Sequence, residues 1–307
     1  MKKWITSVCA AAFILTALAG CSGQGGDTQS SGSSTTGTTS TSSFDATKSI
    51  SVITREQGSG TRDAFIELTG LLEKDEAGNK TDKTAKSAVT LNGTQAVMSN
   101  VAGNEYAIGY ISLGSLSDTV KAVSVGGVAP SADTVKDGSY VISRPFNIVT
   151  KDAVSEAAQD FIDFILSADG QKVIEDNGYI KIADAAAFTS KRPSGKVAVA
   201  GSSSVSPVME KLKEAYEAIN SGVTISIQTT DSSSGITAAQ DGTCDIGMAS
   251  RELKDSEKET LSSTQIAMDG IAVIVNKANT ITSLTVEQLA SIFSGATTTW
   301  DKVGSVA

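Results

Sequence analysis

The chain has 307 residues, with 25 Lys and Arg against 34 Asp and Glu, a formal charge of −9, and no histidine. An acidic chain with no compensating basic face argues against nucleic acid as a partner. The missing histidine removes Ser-His-Asp and Cys-His catalysis together with the commonest metal ligand. The composition therefore favours a binder over an enzyme, with no catalytic residues, cofactor or metal expected.

The first twenty residues read as a leader. Lys2 and Lys3 precede an apolar run over 4–18, short for a membrane span and followed by small residues. The run ends Leu18-Ala19-Gly20-Cys21, which resembles a bacterial lipoprotein signal. Cleavage before Cys21 would leave a lipid-modified cysteine, and several acyl chains make a stable anchor. Losing Lys2 and Lys3 takes the formal charge from −9 to −11. Residues 22–43 are almost all Ser, Thr and Gly, a flexible tether spanning roughly 25 Å as a random coil. The expected leader is thus 1–20, and the lipidated cysteine with its linker is 21–47. From about residue 50 the chain is long enough for a two-lobed body with its own cores. Cys244 is the only thiol in that body, so it forms no intrachain disulfide there, and it reads as a buried small hydrophobe.

The body opens with a β-type run, then Arg55-Glu-Gln-Gly58-Ser59-Gly60-Thr61-Arg62, then a helix. A helix start offers unpaired N–H groups and a positive dipole end, and glycines let them approach an oxyanion. Hydroxyls add donors, and an arginine supplies the full charge. The same order recurs at Val197-Ala-Val-Ala-Gly201-Ser202-Ser203-Ser204-Val205-Ser206-Pro207. There Val205, Val208, Met209, Leu212, Tyr216 and Ile219 fall at helical spacing. Pro207 suits the first turn of that helix. A third case is the alternating strand from Val223, then Asp231-Ser232-Ser233-Ser234-Gly235, with a helix expected from Ile236. All three loops lie at a strand's carboxyl end and a helix's amino end, the edge where open α/β sheets bind ligands. Any one of them is also compatible with a plain helix cap. None has a nucleotide-loop pattern.

With these loops, the segments 244–251 (Cys-Asp-Ile-Gly-Met-Ala-Ser-Arg), 268–276 (Met-Asp-Gly-Ile-Ala-Val-Ile-Val-Asn), 292–300 (Ile-Phe-Ser-Gly-Ala-Thr-Thr-Thr-Trp) and 106–112 (Tyr-Ala-Ile-Gly-Tyr-Ile-Ser) complete a pattern. It resembles the substrate-binding protein of the bacterial high-affinity phosphate ABC transporter over nearly all of 49–307. The resemblance implies an α/β, periplasmic-binding-protein-like fold of type II, with mixed sheets, flanking helices and a hinge. The order of segments departs from the family, where the Gly-Ser-Ser-Ser segment opens the chain and the Arg55-type loop follows the Trp300-type segment. Either the body is circularly permuted, with Ser190-Lys-Arg-Pro-Ser-Gly-Lys196 joining the usual ends, or the chain is a fragment of something longer. The expected lobes are 146–272, and 49–145 plus 273–307, with hinge crossings near Phe146 and Ile271.

By resemblance, Ser203, Ser204 and Ser232 give donors from one lobe, and Arg55, Ser59, Gly60 and Thr61 from the other. In the best-known relatives an aspartate stands where Ser250 is read here. A carboxylate there accepts the proton that phosphate keeps and sulfate lacks. Asp269 and Glu56, with Asp231 behind them, are the nearest candidates for a replacement carboxylate, each equally readable as a solvated or capping acid. Arg55 is the only full charge expected in first contact, and Arg62 and Arg251 read as surface arginines before ligand contacts. Phe146, Trp300, Tyr106 and Tyr110 read as packing residues. The function implied is a lipid-anchored, extracytoplasmic binder of inorganic phosphate that serves ABC-transporter permease subunits and touches the membrane only through its anchor. The alternatives are a binder of sulfate or molybdate, or a sensor or adhesin lipoprotein outside transport.

Overall fold

The computed structural model describes residues 44–305 apart from 77, 153 and 183–184. The expected leader, Cys21 and the Ser/Thr/Gly run 22–43 lie outside the described residues. Residues 44–47, drawn above as the end of the tether, pack on the body: Phe44 sits 5.4 Å from the Tyr106 ring and 6.1 Å from Trp300.

The chain begins with β1 (Ser51–Arg55), α1 (Gly60–Leu68), β2 (Leu72–Lys74), β3 (Lys80–Asp82), β4 (Val89–Leu91) and α2 (Thr94–Gly103). Next come β5 (Ala107–Ser112), β6 (Lys121–Val125), α3 (Ala132–Lys136), β7 (Ser143–Thr150), α4 (Glu156–Leu166) and α5 (Ala168–Asp176). The middle holds β8 (Ile180–Lys181), β9 (Gly195–Ser202), α6 (Ser206–Ile219), β10 (Val223–Thr230), α7 (Ser232–Gln240) and β11 (Ile246–Ala249). It closes with α8 (Asp255–Lys258), β12 (Ser262–Val275), β13 (Ser283–Leu284) and α9 (Val286–Phe293).

The long strand β12 organises the sheet. Its residues 262–270 pair antiparallel with β7, and 271–275 pair antiparallel with β5. Beyond β7 run β11, β9 and β10, and beyond β5 run β1 and β4. The pairs β9–β10, β9–β11, β1–β5 and β1–β4 are parallel, which requires crossover connections and places helices on the sheet faces.

Two main cores follow from this division. Phe146, Phe161, Val199, Met209 and Ile246 belong to one, and Phe65, Tyr110, Val273, Phe293 and Trp300 to the other. The chain leaves the second core after Ile142 and enters the first at Phe146; apart from Ile180, which packs on the second core, it returns between Ala267 and Ile271. Each half also buries its opposite sheet face, through Val149, Ile236 and Ala249 in one and Ile53, Val97 and Ile274 in the other. Each fully buried Val, Ile or Phe contributes roughly 1.5–3 kcal/mol, so sheets covered on both faces carry most of the stability. The architecture is the two-lobed, mixed α/β fold that the sequence implied.

Local expectations fare unevenly. Val205, Val208, Met209, Leu212 and Tyr216 are all at 0% exposure, whereas Ile219 is 40% exposed because α6 ends there and its last turn overhangs the core. α7 starts at Ser232, one turn earlier than expected, because Asp231 accepts the Ser234 N–H at 2.9 Å and caps it. Cys244 is only half-buried, at the margin of the core behind β11, rather than fully enclosed. Phe146, Tyr110 and Trp300 are buried packing residues as expected. The ends of the body meet: Ile50 N–H donates to Thr298 O and Asp301 N–H to Ala46 O, each at 2.8 Å.

Candidate functional site

Four strand-to-helix junctions converge on one place. α1 brings Ser59, Gly60 and Thr61; α6 brings Ser203 and Ser204; α7 brings Ser232; and α2 brings Thr94. Thr61 Oγ1 lies 2.8 Å from Ser204 Oγ, and Thr94 Oγ1 is 3.4 Å from the hydroxyls of both Ser203 and Ser204. An alanine Cβ at Gly60 would sit 2.5 Å from Ser232 Oγ and 2.8 Å from Ser250 Oγ, so only glycine permits this approach. Gly58 O accepts the Ser233 N–H at 3.1 Å, so the two halves also touch through backbone. Ser204 and Ser232 are at 0% exposure and Thr61 at 1%, which places hydroxyls and helix dipoles together away from water.

Arg55 supplies the charge. Glu56 grips one edge of its guanidinium, accepting from Nε and Nη2 at 2.7 Å each, and Nη2 also donates to Ser203 Oγ at 3.0 Å. Nη1 is buried with no protein partner. A buried guanidinium nitrogen left unpaired is costly unless an anion takes its hydrogens. The residue is held from behind as well: Tyr110 Oη accepts the Arg55 N–H at 3.3 Å, and Arg62 Nη1 donates to Arg55 O at 2.7 Å.

The other predicted residues separate into those present and those elsewhere. Ser250 is at the cluster, fully buried, 3.0 Å from Ser202 Oγ and 3.3 Å from Ser232 Oγ. Ser59 is buried beside it, but its hydroxyl accepts the Arg62 N–H at 3.3 Å and caps α1. Glu56 positions Arg55 and accepts the Gly93 N–H at 3.3 Å. Arg62 turns away to Asp82, with Nη2 at 2.6 Å. Arg251 donates to Ser233 Oγ at 3.3 Å but hydrogen-bonds to none of the cluster hydroxyls; it binds Glu257 at 2.8 Å and bridges to Asp63 in the first turn of α1 at 3.1 Å. Burial pushes the Arg251 guanidinium down, but Glu257 and Asp63 outweigh it and hold it above its usual range. Asp231 is an N-cap. Asp269 pairs with Arg144 at 3.1 Å where β7 and β12 cross between the cores, both nearly fully buried. Burial pushes the Asp269 carboxyl up and Arg144 draws it back.

Thr94 was not anticipated. Its signal was legible, since a β-type run, Asn92-Gly93-Thr94 and a helix repeat the order of the other three loops. Gly93 takes φ +80° and gives α2 no side-chain cap, so the leading N–H groups of α2 stay available. A groove of about 520 Å³ lined by Gly93, Thr94, Ser203 and Ser206 opens beside the cluster. Among the described residues no group of three metal-ligating side chains occurs, and no helix is long and apolar enough to cross a membrane.

Comparison with known proteins agrees with this geometry. The model of the PBP superfamily domain matches residues 29–169 and 186–307. The phosphate-binding protein PstS 2 of Streptococcus agalactiae is 51% identical over 261 residues, covering 84% of this chain and 89% of that protein. PstS 2 of Streptococcus pneumoniae is 52% identical over 259 residues, with the same shares. A crystal structure of the phosphate-binding protein of a phosphate ABC transporter from Streptococcus pneumoniae superposes with a TM-score of 0.67 at 52% identity. It covers 83% of this chain and 99% of that one. These relatives are binding proteins, and this chain is a binding protein rather than an enzyme. The four converging helix starts and the buried, half-paired Arg55 thus belong to a member of the PBP superfamily, in the family of phosphate-binding proteins of ABC transporters.

Proposed function

We propose that this chain captures inorganic phosphate between its two lobes and delivers it to the permease subunits of an ABC transporter on the extracytoplasmic side of the membrane. The observation that carries the reading is Arg55, whose buried Nη1 has no protein partner and whose Nη2 already reaches Ser203 across the cleft. Arg55, Gly60, Thr61, Ser203, Ser204 and Ser232 form the anion contacts, with Ser59 and Thr94 completing the wall. A tetrahedral oxyanion has more lone pairs than one loop can satisfy, so closure of both lobes is required. The lobes are 146–272, and 49–145 plus 273–307, and they hinge where β7 and β12 pass between the cores. Lipid on Cys21 holds the body near the membrane through the 22–43 tether.

We further read the body as circularly permuted relative to the family's usual order. The ends of the body hydrogen-bond to each other, as permutation requires.

Calorimetric titration of phosphate into ligand-stripped protein tests the first claim. One saturable site is expected, with a smaller radius of gyration in solution scattering once phosphate is bound. A folded sample that gives neither overturns the reading. Replacing Cys21 by Ala should move the protein from the membrane fraction to the medium; retention in the membrane would refute the anchor.

A further inference from the structure

Arg251 is built into the wall that follows β11. Its Nη1 and Nη2 donate to Glu257 Oε2 and Oε1 at 2.8 and 2.9 Å. Nη1 also donates to Glu252 O at 2.9 Å, and Nη2 to Ser233 Oγ at 3.3 Å. All of these partners sit on the side of the first core, around Ile236, Ala249 and Leu253. Nε serves the other half: it stands 3.1 Å from Oδ2 of Asp63 in the first turn of α1, as a charge contact rather than an aligned hydrogen bond. α1 itself packs on the second core through Ala64, Phe65 and Ile66. Arg251 is 5% exposed, so it joins the two halves from a buried position.

Three carboxylates act on that guanidinium. Glu257 and Asp231 come from its own half, and Asp63 from the other. Burial pushes the Asp63 carboxyl above its usual range, and Glu257 pushes it further; Arg251 above all, then Lys254 and Arg62, draw it back. Arg62 is already committed to Asp82 at 2.6 Å. Nearby the Ser233 N–H reaches Gly58 O at 3.1 Å, so the approach of the halves sets α1 against the wall that carries Glu257. Two partly buried carboxylates brought together without a cation repel each other, and both lose hydration.

We propose that Arg251 is a positioning residue for phosphate capture: it hydrogen-bonds to none of the cluster hydroxyls, yet it lets the lobes close by neutralising Asp63 and Glu257 where they meet. This role rests on the reading of the cleft as the phosphate site. When the lobes part, Glu257, Glu252 and Ser233 travel with Arg251, and only the Asp63 contact breaks. Closure without the arginine would bury Asp63 beside Glu257 with no counter-charge between them. The closed state would then be shorter-lived, and the anion would leave sooner. Arg251 thus acts on release of the anion rather than on its contacts.

The test uses the purified full chain, stripped of ligand, with inorganic phosphate as probe at constant ionic strength and circular dichroism to confirm folding. Arg251→Met should raise the phosphate Kd by about tenfold or more, a figure set below that of a fully buried pair because the Asp63 side chain is 35% exposed. Adding Asp63→Asn to that chain should recover most of the loss, and should help it about tenfold more than it helps the wild type. Equal effects of Asp63→Asn in the two backgrounds would overturn the proposal, since a general change of field acts on both alike. Asp63→Lys leaves the partners of Arg251 in its own half intact and meets Arg251 and Lys254 on closure. It should weaken phosphate binding and speed release in stopped-flow displacement, although a cation added near the site would by its field alone favour the anion. Unchanged or tighter binding by a folded Asp63→Lys protein would sink the role of Arg251 even if Arg251→Met failed to fold. Failure of the folded wild type to bind phosphate would instead overturn the phosphate reading, and this role with it.

Discussion

Arg55→Ala probes the cation on which the site depends. Arg55 is 1% exposed, and its two Nη1 hydrogens face no protein acceptor, so both are free for an anion. Two charge-assisted bonds at roughly 1.5–3 kcal/mol each set a gross value of about 3–6 kcal/mol. Desolvation and ordering reduce the net, and truncating a buried charged partner costs about 2–5 kcal/mol in comparable sites. That corresponds to about a 30-fold to 5,000-fold rise in Kd. The loss has a second part, because Glu56 would be left beside the anion with neither Arg55 nitrogen to neutralise it. Arg55→Ala/Glu56→Gln should therefore regain part of the affinity, and the double variant should bind more tightly than Arg55→Ala alone. Calorimetry at fixed ionic strength measures both, with circular dichroism to confirm folding. A folded Arg55→Ala protein whose Kd stays within about threefold of wild type would remove Arg55 from the site.

Three further outcomes are expected. Gly60→Ala should cut phosphate affinity by tenfold or so, on the scale of overpacking at a tight contact, since its Cβ would lie 2.5 Å from Ser232 Oγ. Unchanged affinity would mean that the α1 loop stands off from Ser232 in the bound state. Asp269→Asn should destabilise the fold by about 3–5 kcal/mol in urea unfolding, because Arg144 would be left buried without its counter-charge. A loss below about 1 kcal/mol would show that solvent reaches the pair, as for a surface bridge. Asp82 is half-buried: burial pushes its carboxyl up, but the Thr84 hydroxyl and amide and the Arg62 guanidinium outweigh this and hold it below the usual range. Its ionised form therefore stabilises the folded state above the unfolded pKa of about 3.9, and that stability is lost as pH falls through the depressed folded value. Asp82→Ala should flatten the acid limb of the stability curve; an unaltered limb would place the linkage on other carboxylates.

Much of the site was legible in the sequence because its parts are local. A strand, a Gly/Ser/Thr turn and a helix start follow one another at 55–62, 201–207 and 231–236, and helix capping and backbone donors depend on neighbours within a few residues. Thr94 belonged to the same pattern and was passed over because Asn92-Gly93-Thr94 carries no serine run and no arginine. The start of α7 was placed late because the apolar positions mark only where the helix meets the core, whereas Asp231 caps it a turn earlier.

The destinations of the charged side chains were not legible. Glu56 and Asp269 looked equivalent as spare carboxylates, yet one clamps Arg55 and the other neutralises Arg144 between the cores. Arg62 and Arg251 ranked behind Arg55 as ligand cations, but which carboxylates would claim them, Asp82, Asp63 and Glu257, could not be read. A desolvated charge must take whichever counter-charge the fold brings within reach, and several of these partners lie far away in sequence. The sequence by itself determined the acidic, histidine-free character of the chain, the strand-and-loop pattern and the kind of donors each loop offers. Tertiary structure alone decided which loops face one another, and that Arg55 keeps a nitrogen free where they meet. Those depend on distances across the cleft, and chain-local chemistry carries no information about them.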